Sequence, residues 1–192
     1  MSIINQTVPE FTAQAFHNGE FVTVSNETIL GKWSVFIFMP AAFTFNCPTE
    51  VEDAADNYQK FVDMGAEVYI ITTDTHFAHK MWHQTSEAVG KAKFPLVGDK
   101  GHVISEGFGV LIDDPEDGDH GLALRGTFVI NPEGVVKTAE IHSNELARDV
   151  DETIRKLKAA QYTAAHPNEV CPAKWKDGDE TLAPSLDLVG KI

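Results

Sequence analysis

SVFIFMPAAFTFNCPTEVEDAADNYQKFVDMG, residues 34–65, joins a strand to a helix across a proline-bounded turn. SVFIFM (34–39) is a dense β-type run, and Pro40 ends it by removing a backbone donor and restricting the chain. Beyond Cys47, residues Val51, Ala54, Ala55, Tyr58, Phe61 and Val62 recur at helical spacing. Pro48 suits a first helical turn, Glu50, Glu52 and Asp53 favour its positive end, and Gly65 stops it. One helix is therefore expected from about 48 to 64. Cys47 falls where the turn hands over to that helix.

The alternation continues outward. EVYIITTD (67–74) is the next strand, and HFAHKMWHQTSEAVGK (76–91) a second helix, with Phe77, Met81 and Trp82 expected to face the protein. KFPLVGD (93–99) supplies a short strand. GLALRGTFVINPEGVVKTAEIH (121–142) predicts a hairpin turning at Asn131-Pro132-Glu133-Gly134. Asn144 is the expected cap of a last helix, with Leu146, Val150, Ile154 and Leu157 as its inward stripe. Strand–helix–strand followed by hairpin and helix predicts a three-layer α/β domain of thioredoxin type over 1–165. Residues 166–192 change character. HPNEVCPAKWKDGDETLAPSLDLVGKI has three prolines and isolated apolar anchors, and reads as an irregular arm. Its expected contacts are Trp175, Leu182, Leu186, Leu188 and Val189.

The 192 residues suffice for one core and a modest tail. Fifteen basic against 29 acidic residues give a formal charge of −14, which disfavours nonspecific binding to nucleic acid or anionic membrane. MSIINQTVPEF at the start lacks the basic and apolar regions of a signal peptide, and no run approaches membrane-spanning length. A cytoplasmic setting is the default expectation, where two cysteines need not form a structural disulfide.

Those cysteines, Cys47 and Cys171, each precede a proline and do not form a CxxC pair. An ordinary thiol, with a pKa of about 8.5, is only about 3% thiolate at pH 7. Orphan amides and the dipole at a helix start favour the anion, as would a guanidinium. Taken alone, Cys47 remains open between a buried structural thiol and a reactive one.

Pro40, Thr44 and Cys47 spell PxxxTxxC within FMPAAFTFNCPTE, and that signature resembles the peroxiredoxins. The likeness continues through TTDTHFAHKMWH, GLALRGTFVINPEG, EVCPAKW and TLAPSLDLVGKI, covering essentially the whole chain. In these segments the chain resembles the bacterial alkyl hydroperoxide reductase C branch of the typical two-cysteine peroxiredoxin family. The resemblance implies a thioredoxin-like fold with peroxiredoxin additions and a C-terminal arm. It also implies that Cys47 is the peroxidatic nucleophile, reducing hydrogen peroxide and organic hydroperoxides through a sulfenic acid. Arg125 would hold thiolate and peroxide together, Thr44 would orient the peroxide, and Pro40 would pack over the thiolate. Glu50 and Arg148 match positions that hold the arginine. Cys171 would be the resolving cysteine, pairing with Cys47 of the other subunit in an antiparallel dimer, five of which form a decamer. Reducing equivalents would come from a flavoprotein, an alkyl hydroperoxide reductase F-like reductase fed by NADH, with a thioredoxin-like donor as the alternative. The chain has no dinucleotide fingerprint and is expected to bind neither NADH nor flavin itself.

Full ionisation would raise the thiolate fraction at pH 7 by at most about 30-fold over an ordinary thiol. Peroxidase chemistry needs far more, so alignment and charge stabilisation by Arg125 and Thr44 must supply the larger share. Ala42 and Asn46 stand where the family often has Asp and Val. IDDPEDGDHGLALRG (112–126) replaces the glycine-rich segment of hyperoxidation-sensitive animal members, whose Tyr-Phe helix is also missing. His76, His79 and His83 lie near one helical face, but without paired carboxylates they are expected to lie on the surface or to support a site from behind its contacting residues, not to ligate a metal. A redox-regulated chaperone or interaction protein is the alternative from another class; a CxxC-type disulfide oxidoreductase fits less well.

Overall fold

The computed structural model describes residues 2–191. Its centre is a seven-stranded mixed sheet in the order β2-β1-β5-β4-β3-β6-β7. The strands are β1 (Thr12–His17), β2 (Glu20–Ser25), β3 (Trp33–Phe38), β4 (Ala66–Thr72), β5 (Leu96–Gly98), β6 (Arg125–Ile130) and β7 (Val136–His142). The helices are α1 (Cys47–Asp56), α2 (Tyr58–Asp63), α3 (His76–Thr85), α4 (Val103–Gly107) and α5 (Val150–Ala165).

The dense apolar run of β3 is explained by its central place, because both of its faces are covered. Val35 and Ile37 point into one core with Val51, Phe61, Trp82 and Leu157 from the helices. Phe36 and Phe38 point into the other, with Phe11, Ile104, Phe108 and Phe128. Helices thus cover one face, and α4 with the N-terminal segment covers the other, giving a three-layer thioredoxin-like α/β fold.

Topology gathers Cys47 and Arg125 at one end of the central strands. β3 and β4 run parallel, so the turn after β3 and the turn after β4 emerge side by side. β6 runs antiparallel to β3, with Ile37 opposite Thr127, so β6 begins at the end where β3 finishes. Arg125, its first residue, is thereby delivered to the turn leading into α1.

Several sequence expectations are corrected. The helix expected over 48–64 is two, broken at Asn57, whose side-chain amide donates to the Asp53 carbonyl at 2.9 Å. On α3 the inward face is His79 and Trp82, while Phe77 and Met81 are exposed. Leu96 O and the Thr72 hydroxyl give His79 buried partners, which outweighs the simple apolar stripe. Asn144 caps no helix: α5 begins at Val150, capped by Asp149, whose carboxylate accepts from Asp151 N–H at 2.8 Å, and Leu146 is exposed. The β1–β2 hairpin lay outside the sequence expectations. Its signal was present in Asn18-Gly19, which take φ of 49° and 86°, as a tight hairpin turn demands.

The arm folds back onto α5. Trp175 is buried, Arg155 Nη1 donates to its carbonyl at 3.1 Å, and Val170 pairs with Leu182. Leu186 and Val189, expected as anchors, remain exposed.

Gly98 sets how closely the turn after β4 approaches β5. A Cβ there would lie 2.7 Å from His76 N and 2.8 Å from Asp74 O, both backbone atoms that cannot swing aside. Gly98→Ala should therefore destabilise the protein by about 1–3 kcal/mol. Urea unfolding should show a lower midpoint with an unchanged slope.

Candidate active site

Cys47 is the first residue of α1 and is fully buried. Asn46 precedes it without a side-chain cap, so the first-turn amides lack that partner. Arg125 Nη1 stands 3.5 Å from the sulfur and 2.5 Å from Glu50 Oε2. Arg125 Nε donates to the Asn144 carbonyl at 2.7 Å, which fixes the plane of the guanidinium. Glu50, one turn along α1, accepts through Oε1 from Arg148 Nε at 2.8 Å and Arg148 N–H at 2.9 Å. Arg148 Nη2 adds a bond to Oε2 at 3.0 Å, and Nη1 donates to Gly126 O at 2.7 Å.

The side chains of Glu50, Arg125 and Arg148 are each only 4% exposed. Two guanidinium ions and one carboxylate leave a buried excess of one positive charge, which a thiolate at Cys47 would balance. The same guanidinium has donors enough to bind a second atom next to sulfur. A thiol at an uncapped helix start, dry and beside a fixed cation, is suited to nucleophilic attack with charge developing on a departing oxygen.

Pro40 is buried on the turn between β3 and α1, and its carbonyl accepts from the Thr73 hydroxyl at 3.5 Å. Thr44, on the same turn, donates to Ala41 O at 3.0 Å. Phe43 and Phe45 expose their rings beside it. The structure thus gathers Cys47, Arg125, Glu50 and Arg148 in direct contact, with Pro40 and Thr44 on the adjoining turn.

Cys171 stands apart. It lines a cavity of about 500 Å³ between the arm, α5 and β7, with Lys137, Arg155, Lys156 and Lys174. Arg125 pairs with His142, whereas this cavity abuts Lys137 and Thr138, four residues down β7 (142 − 138). That places the β7 wall of the cavity about 13 Å along the strand from the residue paired with Arg125. Both cysteines are free. Burial pushes the Cys171 thiol above its ordinary pKa, with Arg155 opposing and Glu169 reinforcing.

Among the described residues, no group of three or more His, Cys, Asp or Glu could hold a metal ion. His79 is buried, and His83 Nε2 faces Ala92 O at 3.2 Å. Two contributors to the site escaped the sequence reading. The Asn144 carbonyl is a backbone group with no residue signature, and Asp74 was visible in TTDTH but unassigned.

Two buried groups make stability depend on pH. Burial lowers His79 to about 4, against the opposing pull of Asp74 and the Leu96 carbonyl. The unfolded chain therefore takes this proton first, and stability is lost as pH falls from about 6.5 toward 4. Burial alone would raise Glu50; hydrogen bonds and charge from Arg148, with Arg125, outweigh it and hold the carboxyl below its ordinary value. Its contribution is present above the ordinary carboxylate pKa of about 4.3 and is lost below it. Glu50→Gln should cost about 3–5 kcal/mol near neutrality by leaving two buried guanidinium groups without their anion. In urea unfolding against pH it should also flatten only the lower part of the acid limb.

The AhpC/TSA family model matches residues 4–139, and the model of the C-terminal domain of 1-Cys peroxiredoxin matches 159–191, which here includes Cys171. Alkyl hydroperoxide reductase C of Pseudomonas aeruginosa is 72% identical over 192 residues, all of both chains. Its Bacillus subtilis namesake is 52% identical, also over the full length of both. Among solved structures, Enterococcus faecalis AhpC superposes with a TM-score of 0.84 at 42% identity, covering 90% of this chain and 100% of that one. The reduced 2-Cys peroxiredoxin of Plasmodium vivax gives a TM-score of 0.90 at 27% identity, covering 97% and 96%.

Proposed function

The chain belongs to the AhpC/TSA family as a bacterial AhpC-type two-cysteine peroxiredoxin, and on that premise we propose how its residues reduce hydrogen peroxide and organic hydroperoxides. The enzyme is a thiol-based peroxidase. The observation that carries the residue assignment is the Arg125 guanidinium 3.5 Å from a buried thiol at an uncapped helix start.

Cys47 attacks as the thiolate. Its sulfur bonds to one peroxide oxygen, the O–O bond breaks, and the second oxygen leaves with the bonding pair to become water or an alcohol after protonation. Sulfur is oxidised to the sulfenic acid as the peroxide is reduced. Arg125 holds sulfur and the leaving oxygen, and Thr44 orients the peroxide. Pro40 keeps water from the thiolate, while Glu50 and Arg148 hold Arg125. Cys171 then displaces hydroxide from the sulfenic sulfur, giving a disulfide and water. A resolving thiol kept protonated at rest does not compete for peroxide.

The disulfide joins two subunits of a dimer, with residues 1–165 bearing the attacking half and 166–192 the resolving one. The first turn of α1 opens to expose the oxidised Cys47. Dimers assemble into a decamer. A separate flavoprotein, an AhpF-like reductase drawing on NADH, returns two electrons and two protons. The lack of a dinucleotide fingerprint in this chain supports an external donor. No helix among the described residues is long and apolar enough to cross a membrane. Two free thiols suit the reducing cytoplasm.

Peroxide consumption with a renewable thiol reductant tests the assignment. Cys47→Ser should abolish turnover, whereas Cys171→Ser should still form a sulfenic acid that dimedone traps. Non-reducing gels should lose the disulfide-linked dimer in either variant; its persistence in Cys171→Ser would contradict the pairing. Arg125→Ala should lose about 100-fold or more in the rate of Cys47 oxidation. Raising the pH until the thiol is fully ionised should not restore that loss, and equal rates there would remove Arg125 from the transition state.

A further inference from the structure

A run of polar contacts, buried at His79 and Thr72 and half-buried at Asp74, leads from β5 to the turn before Cys47. His79 Nδ1 faces the Leu96 carbonyl at 3.0 Å, and its Nε2 lies 2.8 Å from the Thr72 hydroxyl. Thr72 Oγ1 is also 2.8 Å from Asp74 Oδ2, which accepts the Ala42 N–H at 2.6 Å. His79 and Thr72 are both fully buried. The run therefore ends with a carboxylate gripping one backbone amide of the active-site turn.

That amide belongs to the same peptide unit as the Ala41 carbonyl, which accepts the Thr44 hydroxyl at 3.0 Å. N–H and C=O of a trans peptide point in opposite directions from one rigid plane, so fixing one end aims the other. A threonine hydroxyl carries a single hydrogen. With that hydrogen given to Ala41 O, the lone pairs of Thr44 are left to accept from the O–H of a hydroperoxide. Were the peptide to rotate, the hydroxyl hydrogen would turn elsewhere and compete for the same space.

The turn needs such restraint. Phe43, between the two tied residues, has φ of 60°, a left-handed conformation costly for a bulky side chain. Its ring lies 6.3 Å from that of Trp82, one turn along α3 from His79. α3 and the strand end before it thus brace the turn twice, once by hydrogen bonds and once by an aromatic contact.

We propose that Asp74 is a positioning residue for peroxide reduction, orienting the Thr44 hydroxyl through the Ala41–Ala42 peptide, with the Thr72 hydroxyl donating to its carboxylate. The inference rests on the reading that Thr44 meets the peroxide. It assigns Asp74 no contact with substrate.

The test is the stopped-flow rate of Cys47 oxidation by hydrogen peroxide in Asp74→Ala, Asp74→Asn, Thr44→Val and the double variant Asp74→Ala/Thr44→Val. The pH profile of Cys47 alkylation is followed in parallel. Asp74→Ala should be slower by about 10- to 100-fold, the scale of a misaligned reacting group, with its alkylation profile unmoved. Asp74→Asn keeps an oxygen for the Ala42 amide and should recover most of the rate. The double variant should be no slower than the slower single variant, because both changes act on one hydroxyl. A rate within about twofold of wild type in Asp74→Ala, or losses that multiply in the double variant, would overturn the proposal. A wild-type rate in Thr44→Val would instead remove the underlying reading, and the inference with it. If Asp74→Ala does not fold, Thr72→Val unties the carboxylate without emptying the turn and enters the same cycle with Thr44→Val; multiplying losses there again overturn the proposal.

Discussion

One buried carboxylate carries the site. Glu50 receives Arg148 through its side chain and backbone, and Arg125 through a guanidinium nitrogen that also meets the Cys47 sulfur. Without that anion, two guanidinium ions would face each other in a dry interior, where unpaired charge is costly. With it, the first turn of α1, the start of β6 and the segment before α5 are tied at one point. The remaining positive charge makes that point receptive to an anion at sulfur. Stability and reactivity therefore draw on the same interaction.

The sheet explains why these groups meet. Parallel β3 and β4 finish at the same end of the sheet, and antiparallel β6 begins there. From β3 comes the turn leading to Cys47, and from β4 come Thr72, Asp74 and the entry to α3. The guanidinium comes from β6. The turn itself is short, exposes Phe43 and Phe45, and holds Phe43 at a positive φ, with the Thr44 hydroxyl bond to the Ala41 carbonyl as its internal tie. From outside, Asp74 accepts the Ala42 amide and Trp82 packs near the Phe43 ring.

Legibility in the sequence followed the range of the interactions. The strand at 34–39, the helix start at Cys47 and the hairpin at Asn131–Gly134 rest on local chemistry, and they stand within a residue or two of expectation. The face of α3 was misread because its burial is decided by what β1 and β5 present. A histidine with two buried partners went inward, and Phe77 went outward. Asn144 had the composition of a cap, yet its backbone carbonyl proved to matter, as the acceptor for Arg125. A carbonyl has no residue identity to read.

By itself, the sequence determined the alternation of strands and helices, the proline-bounded turn, and the place of Cys47 at a helix start. It also carried PxxxTxxC, Arg125 and the arm with Cys171, which together pointed to peroxide chemistry. Those features depend on backbone propensity and residue type, which each segment carries wherever it lies. Only the tertiary structure decided that Glu50 bridges two arginines, that Asp74 grips the Ala41–Ala42 peptide, and that Cys171 lies toward the far end of β7 from Arg125. These are contacts between residues dozens of positions apart. Their geometry comes from strand register and shared burial, which no local pattern encodes.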